Sequence, residues 1–212
     1  MAELAIDVAG IRVEPYAAVP TIVWSLRLRE STGARVHTIA LHTQVRIEAQ
    51  RRLYDEAERG RLLAMFGEAD QWSESLRPFQ WTTFDTLVPG FEGEITVEVP
   101  MACTYDFEVA GSRYMHSLER GEVPLVLLFS GTVFTKGGAG LSVGLVPWHL
   151  EARHLMPVAL WRETMQRYFP GSGWLRLEQA TIDRLQRYRA EQAFATCEAA
   201  ITALLKAAGE DT

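Results

Sequence analysis

The chain has 212 residues, 48% of them hydrophobic and 23% charged, so it can bury a core without disulfide or metal staples. Its formal charge of −6 is dispersed along the sequence, which excludes the basic footprint of a broad nucleic-acid binder and disfavours docking on anionic lipid. Two cysteines outside any CxxC or metal spacing, no basic stretch at the N-terminus and no apolar run of ~18 residues predict a reduced, cytoplasmic chain with neither signal peptide nor membrane span.

The first element is a strand over 4–13, where Leu4, Ile6 and Val8 alternate and Gly10 marks a bulge. Pro15 and Pro20 bracket a connection. Residues 21–30 put Ile22, Trp24, Leu26 and Leu28 on one face and Arg27 and Arg29 on the other, the period of a half-buried strand. A turn at Ser31–Gly33 leads to a strand over 36–49, with Ile39, Leu41, Val45 and Ile47 in phase. Residues 55–66 read as a helix capped by Asp55, with Leu62, Leu63 and Phe66 as its apolar stripe. Strands follow over 79–88, 92–99 and 104–110, then one or two helical turns over 112–119.

Residues 123–148 form the densest apolar run in the chain. They read as two long strands around a Gly-rich turn from Lys136 to Gly140, buried on both faces or central in a sheet. An extended segment continues to Pro157. A helix over 158–168 is stopped by Phe169-Pro-Gly171, and a final helix runs from about Glu178 to Ala208. The absence of strand–helix alternation favours an antiparallel sandwich. The expected architecture is mainly β: an antiparallel β-sandwich over 1–156 with a short helical insertion near 55–66, and two C-terminal α-helices over 157–212 packed on it.

The candidate chemistry is sparse. His149, Glu151 and His154 come nearest to a metal cluster, but the odd offset of the two histidines sends them to different faces of a strand, and a helix separates them by about 140°. His37 and His42 fail the same test. Cys103 shows no neighbouring base or cation that would make it a nucleophile, and a small buried hydrophobe is its ordinary role. The glycines from Gly131 to Gly144 lack the spacing of a phosphate loop and fit a hairpin instead. No cofactor or metal is expected. The six tryptophans, Trp24, Trp72, Trp81, Trp148, Trp161 and Trp174, suit either core filling or a pocket.

Scaffold loops carry recognition. The candidate partner contacts are therefore Arg51, Arg52 and Tyr54 at one loop and Lys136 at the hairpin turn, with the arginines suited to an acidic partner. Phe194, Cys197, Ile201 and Leu204 are spaced three, four and three apart, a candidate oligomer seam on the last helix.

Several segments carry a resemblance: Val13-Glu-Pro-Tyr16, Val99-Pro-Met-Ala-Cys-Thr-Tyr-Asp106, Gly121-Glu-Val-Pro-Leu125, Leu128-Phe-Ser-Gly-Thr-Val-Phe134, Val146-Pro-Trp148, Trp161-Arg-Glu163 and Tyr168-Phe-Pro-Gly171. Across nearly its whole length the chain resembles an uncharacterised, mainly actinobacterial protein family often encoded beside [NiFe] uptake hydrogenase genes. The sparse chemistry of the residues points to a non-enzymatic accessory or binding protein, and the resemblance implies association with a hydrogenase system. Such a protein would assist assembly, maturation or docking of the hydrogenase, with its subunits or maturation factors as partners. It implies no catalytic residue. The alternatives are a small-molecule-binding β-sandwich domain and, behind it, a cysteine-dependent enzyme using Cys103.

Overall fold

The structure, a computed structural model, describes residues 3–104, 109–137, 140–173 and 175–210, with Gly137 as backbone only. Its architecture is the expected antiparallel β-sandwich with helices mainly towards the C-terminus. Among the described residues eight strands make two sheets. The smaller has the order β1 (Leu4–Val13), β2 (Thr21–Glu30), β5 (Glu94–Ala102). The larger has the order β4 (Phe79–Val88), β3 (Arg35–Ile47), β6 (Glu122–Gly137), β7 (Gly140–Leu145), and β8 (Glu151–Pro157) also pairs with β6. Every pairing is antiparallel, and the chain crosses between sheets after β2, β4 and β5, the interleaving of immunoglobulin-like sandwiches.

Alternation builds the core. The fully buried Ile22, Trp24, Leu26 and Leu28 of β2 meet Ile39, Leu41, Val45 and Ile47 of β3 and Leu125, Leu127 and Phe129 of β6. The Gly10 bulge is present as a register shift between Val8 and Gly10. The strand expected over 104–110 is not found where it can be seen. Thr104 is irregular and Ala110 opens helix α3 (Ala110–Ser117), while 105–108, including Tyr105 and Asp106, lie outside the described residues.

The strand ends at one pole of the sandwich carry the helices. Between β3 and β4 lie α1 (Glu56–Phe66) and the single turn α2 (Trp72–Ser75). Asp55 caps α1 as expected, its carboxylate accepting from Glu58 N–H at 2.9 Å. Helix α3 joins β5 to β6, and α4 (Val158–Tyr168) follows β8 and sinks Val158, Trp161 and Met165 into the core. An aromatic cluster fills the space beneath: Tyr54, Phe66, Trp72, Phe79 and Tyr114 meet mostly edge to face, and the Tyr54 and Tyr114 hydroxyls are 2.7 Å apart. Burial pushes the Tyr54 hydroxyl up to about 12, so this pair stays neutral at any physiological pH.

The opposite pole is pinned by Glu30 at the β2–β3 turn. Its buried carboxylate accepts from the N–H groups of Glu3, Thr32 and Ala34 and from the Thr32 hydroxyl. Burial alone would raise its pKa, but these four bonds outweigh that and hold it below the usual value near 4.5. A folded pKa below the unfolded one means the stabilisation is complete above the unfolded value and is lost as pH falls through the folded one. Glu30→Gln is expected to lower stability at pH 7 and to flatten the acid limb of a urea-unfolding series. An acid limb identical to wild type would contradict this.

Contacts divide the chain into two compact units, 1–174 and 175–212. The second unit corrects the single final helix. It holds α5 (Gln179–Glu191) and α6 (Cys197–Ala207), separated by a break in which Ala193 has φ +55°. Thr196 restarts the helix by accepting from Ala199 N–H at 3.1 Å. With α4, three helices therefore follow residue 157 where two were expected. Among the described residues no helix is long and apolar enough to cross a membrane.

Candidate functional site

The outer face of the larger sheet is the most distinctive surface. Residues directly paired in antiparallel strands share a face, so register fixes the rows. Leu87, Ala40, Thr132 and Leu145 make one row across β4, β3, β6 and β7. Thr38, Phe134 and Val143 make the next, towards the β6–β7 turn. Arg35, Lys136 and Leu141 make the last. Leu87, Val143 and Leu145 are 72, 63 and 80% exposed, and Trp148, in the connection from β7 to β8, is 92% exposed. On the other flank the row is polar: His42 Nδ1 lies 2.7 Å from Asp85 Oδ1, and beyond it Gln44 donates to Gln80 at 2.6 Å.

This surface corrects part of the expectation for 123–148. β6 is central, with β3 on one side and β7 and β8 sharing the other. β7 is an edge, and its inward positions hold only Ser142 and Gly144, so its apolar residues Leu141, Val143 and Leu145 point out. Apolar density implied burial of the whole run. The phase of the alternation, small residues in and large ones out, was the available sign against it.

The Arg51–Tyr54 loop is not a simple contact tip. Arg52 and Glu58 form an ion pair at 2.7 Å with side chains only 8 and 2% exposed. Arg52 also donates to Arg120 C=O, and its guanidinium lies 5.3 Å from the Tyr54 ring centre. Glu58 accepts in turn from Glu119 N–H at 3.0 Å. Tyr54 is buried and donates to Ala49 C=O at 2.8 Å. Both are occupied in holding the helical pole together and line the floor of a cleft. The cleft, of about 690 Å³, is rimmed by exposed Arg51, Leu53, Arg120 and Leu155. Lys136 is exposed at the far end of β6, beside a turn whose residues 138–139 lie outside the described set.

The remaining candidates are scattered. Cys103 is buried, and burial pushes its thiol up to about 12, so it is no thiolate at neutral pH. His154 faces inward against Trp24, ring centres 5.8 Å apart, and burial lowers its pKa, whereas His149 is exposed in the loop beside Trp148. Among the described residues no group of three or more His, Cys, Asp or Glu side chains is placed to hold a metal ion. A groove of about 490 Å³ between α3 and α4 is lined by Met115, Trp161, Met165 and Phe169 with Arg162 at its rim, an apolar lining of the kind that suits a small molecule. Trp24 and Trp161 are buried, Trp81 stacks edge-on to Trp161 at 6.0 Å, and Trp174 lies outside the described residues.

The four seam residues do not share one helix face. Phe194 lies in the α5–α6 break with its ring 6.0 Å from Tyr188, and Cys197 Sγ is 3.8 Å from Arg189 Nη1 and 3.7 Å from Gln186 Nε2. Ile201 and Leu204 remain exposed, joined by Leu205.

Fold and surface together define a β-sandwich protein with a helical pole and an apolar outer sheet face. The chain belongs to DUF6084, a family of unknown function, which it matches over residues 1–212. No curated protein matches it. Among solved structures it is similar to the CARDB domain of the PF1109 protein from Pyrococcus furiosus, crystallised with di-metal ions, at 9% identity and a TM-score of 0.29, over 73% of this chain and 91% of that one. It is also similar to the putative ApaA protein from Bordetella pertussis, at 14% identity and a TM-score of 0.28, over 73% and 93%. A β-glucosidase from Kluyveromyces marxianus matches at 7% identity and a TM-score of 0.25, over 74% of this chain and 15% of that one.

Proposed function

We propose that this protein is a non-enzymatic accessory or binding protein that takes a protein partner on the outer face of its larger sheet. The observation that supports this is the alignment of Leu87, Phe134, Val143 and Leu145 by strand register, with Trp148 solvated close by in sequence. Single exposed apolar residues are ordinary. Several held in adjacent rows on a rigid sheet form a contiguous patch of the kind that is covered in an assembly. Lys136 beside the patch favours a partner whose apolar contact is flanked by carboxylates.

The family resemblance directs the search to [NiFe] hydrogenase subunits and their maturation factors. Purified full-length chain, immobilised and exposed to each of these proteins in turn, is expected to bind one of them. Leu87→Glu is expected to weaken that binding at least about ten-fold while leaving stability within ~0.5 kcal/mol. Binding to none of them would remove the hydrogenase assignment. Binding unchanged by the substitution would remove the surface.

A further inference from the structure

Among the described residues no strand pairs with the outer edge of β7, and that edge carries an inference of its own. Val146 N–H donates to Gly131 C=O at 2.9 Å, which makes Gly131 and Val146 a hydrogen-bonded pair. Antiparallel ladders alternate bonded and non-bonded pairs. Val133 with Gly144 and Thr135 with Ser142 are then bonded, and Thr132 with Leu145, Phe134 with Val143 and Lys136 with Leu141 are not. The backbone N–H and C=O groups of Leu141, Val143 and Leu145 therefore point away from β6 along the open edge. The same three residues carry the outward apolar side chains.

Natural sheets protect such edges with charge, proline or a bulge. β7, Gly140-Leu-Ser-Val-Gly-Leu145, has none of these. It is also self-complementary. Directly opposed residues must share a face, so a copy related by a two-fold axis through the sheet can pair only odd positions with odd. Of the two registers that overlap five residues, the one that opposes all three residues with outward backbone groups sets Val143 against Val143 of the second copy and Leu141 against Leu145. That register opposes residues whose backbone groups are free, brings no like charges into opposition, and makes a row of Phe134, Val143 and their two counterparts across the junction.

We propose that β7 pairs antiparallel with β7 of a second copy of this chain, centred on Val143, joining two five-stranded sheets into one. Six backbone hydrogen bonds and three apolar cross-strand pairs hold it. Edge pairing alone buries less than the ~1,000 Å² typical of a stable interface, so the dimer forms at roughly 10–100 µM protein. The two surfaces share Phe134, Val143 and Leu145, but the pairing stands on the backbone groups of the β7 edge, whereas Leu87 lies across the sheet on β4 and reports on the partner reading alone.

The test is analytical ultracentrifugation of the full chain from 1 to 200 µM, on the order of the range above, with amide exchange at both extremes. The expected result is concentration-dependent dimerisation, with exchange slowed at Leu141, Val143 and Leu145 and unchanged at Ser142 and Gly144. Val143→Lys, a solvated site, is expected to abolish the dimer with the folded signal intact. A chain that stays monomeric throughout overturns the proposal. So does a dimer that survives Val143→Lys, above all one broken by Leu204→Glu, which would move self-association to α6.

Discussion

Gly131→Ala is expected to be the most destabilising single change in the sheet. Gly131 sits at φ +141°, a conformation that side chains with a Cβ rarely adopt, and a Cβ there would drive into the backbone carbonyl of Ala40 on the neighbouring strand. The oxygen it would strike belongs to the β3–β6 ladder, so it cannot swing aside as a flexible side chain could. Gly131 also marks the point where β6 exchanges one edge neighbour, β8, for the other, β7, and its C=O takes the Val146 N–H that starts the turn between them. Strain and lost ladder together should cost roughly 4 kcal/mol or more, a large part of the 5–15 kcal/mol available to a domain. In thermal melts the midpoint is expected to fall by about 10 °C or more. Gly144→Ala is the control, since its Cβ would meet nothing within 4 Å. A Gly131→Ala variant that melts with wild type would show that Gly131 does not hold the positive φ and close approach to Ala40 described.

Arg52→Met is expected to be the next most damaging change. The guanidinium neutralises Glu58, spans to Arg120 C=O and covers the Tyr54 ring, so its removal strands a carboxylate with almost no access to water. Breaking a buried pair from one side costs about 3–5 kcal/mol, while replacing both partners by apolar residues is often near neutral. Chemical denaturation of Arg52→Met, Glu58→Leu and the double variant should therefore show strong coupling, with the double variant more stable than Arg52→Met. Additive losses would mean that the two side chains contribute independently. This pair also governs how partner contacts at the cleft are tested: charge reversal at Arg51 or Arg120 alters the rim, whereas reversal at Arg52 destabilises the pole beneath it.

Much of the fold was legible because its signals are local. The alternation in β2 and β3, the bulge at Gly10 and the Asp55 cap each depend on residues a few positions apart. The break between α5 and α6 was hidden because neither Gly nor Pro marks it; Ala193 takes the positive φ, and the only sign was Thr196 as a second N-cap. The surface was harder to read. Whether Leu141, Val143 and Leu145 face core or solvent depends on which face of the larger sheet the smaller sheet covers, and within β7 only the alternation of small and large residues hints at it. Arg52 and Tyr54 looked like exposed contacts because their partners, Arg120 C=O and the Tyr114 hydroxyl, come from far along the chain.

The central claim, that the outer sheet face meets a protein partner, is tested most directly by affinity capture from cells expressing a [NiFe] hydrogenase. Three tagged forms would be compared by quantitative mass spectrometry: wild type, Leu87→Glu, and Leu63→Glu as an exposed leucine on α1. The account predicts that wild type and Leu63→Glu recover the same hydrogenase subunit or maturation factor and that Leu87→Glu loses it. Recovery that is equal across all three, or none with wild type where the hydrogenase is abundant, would contradict it.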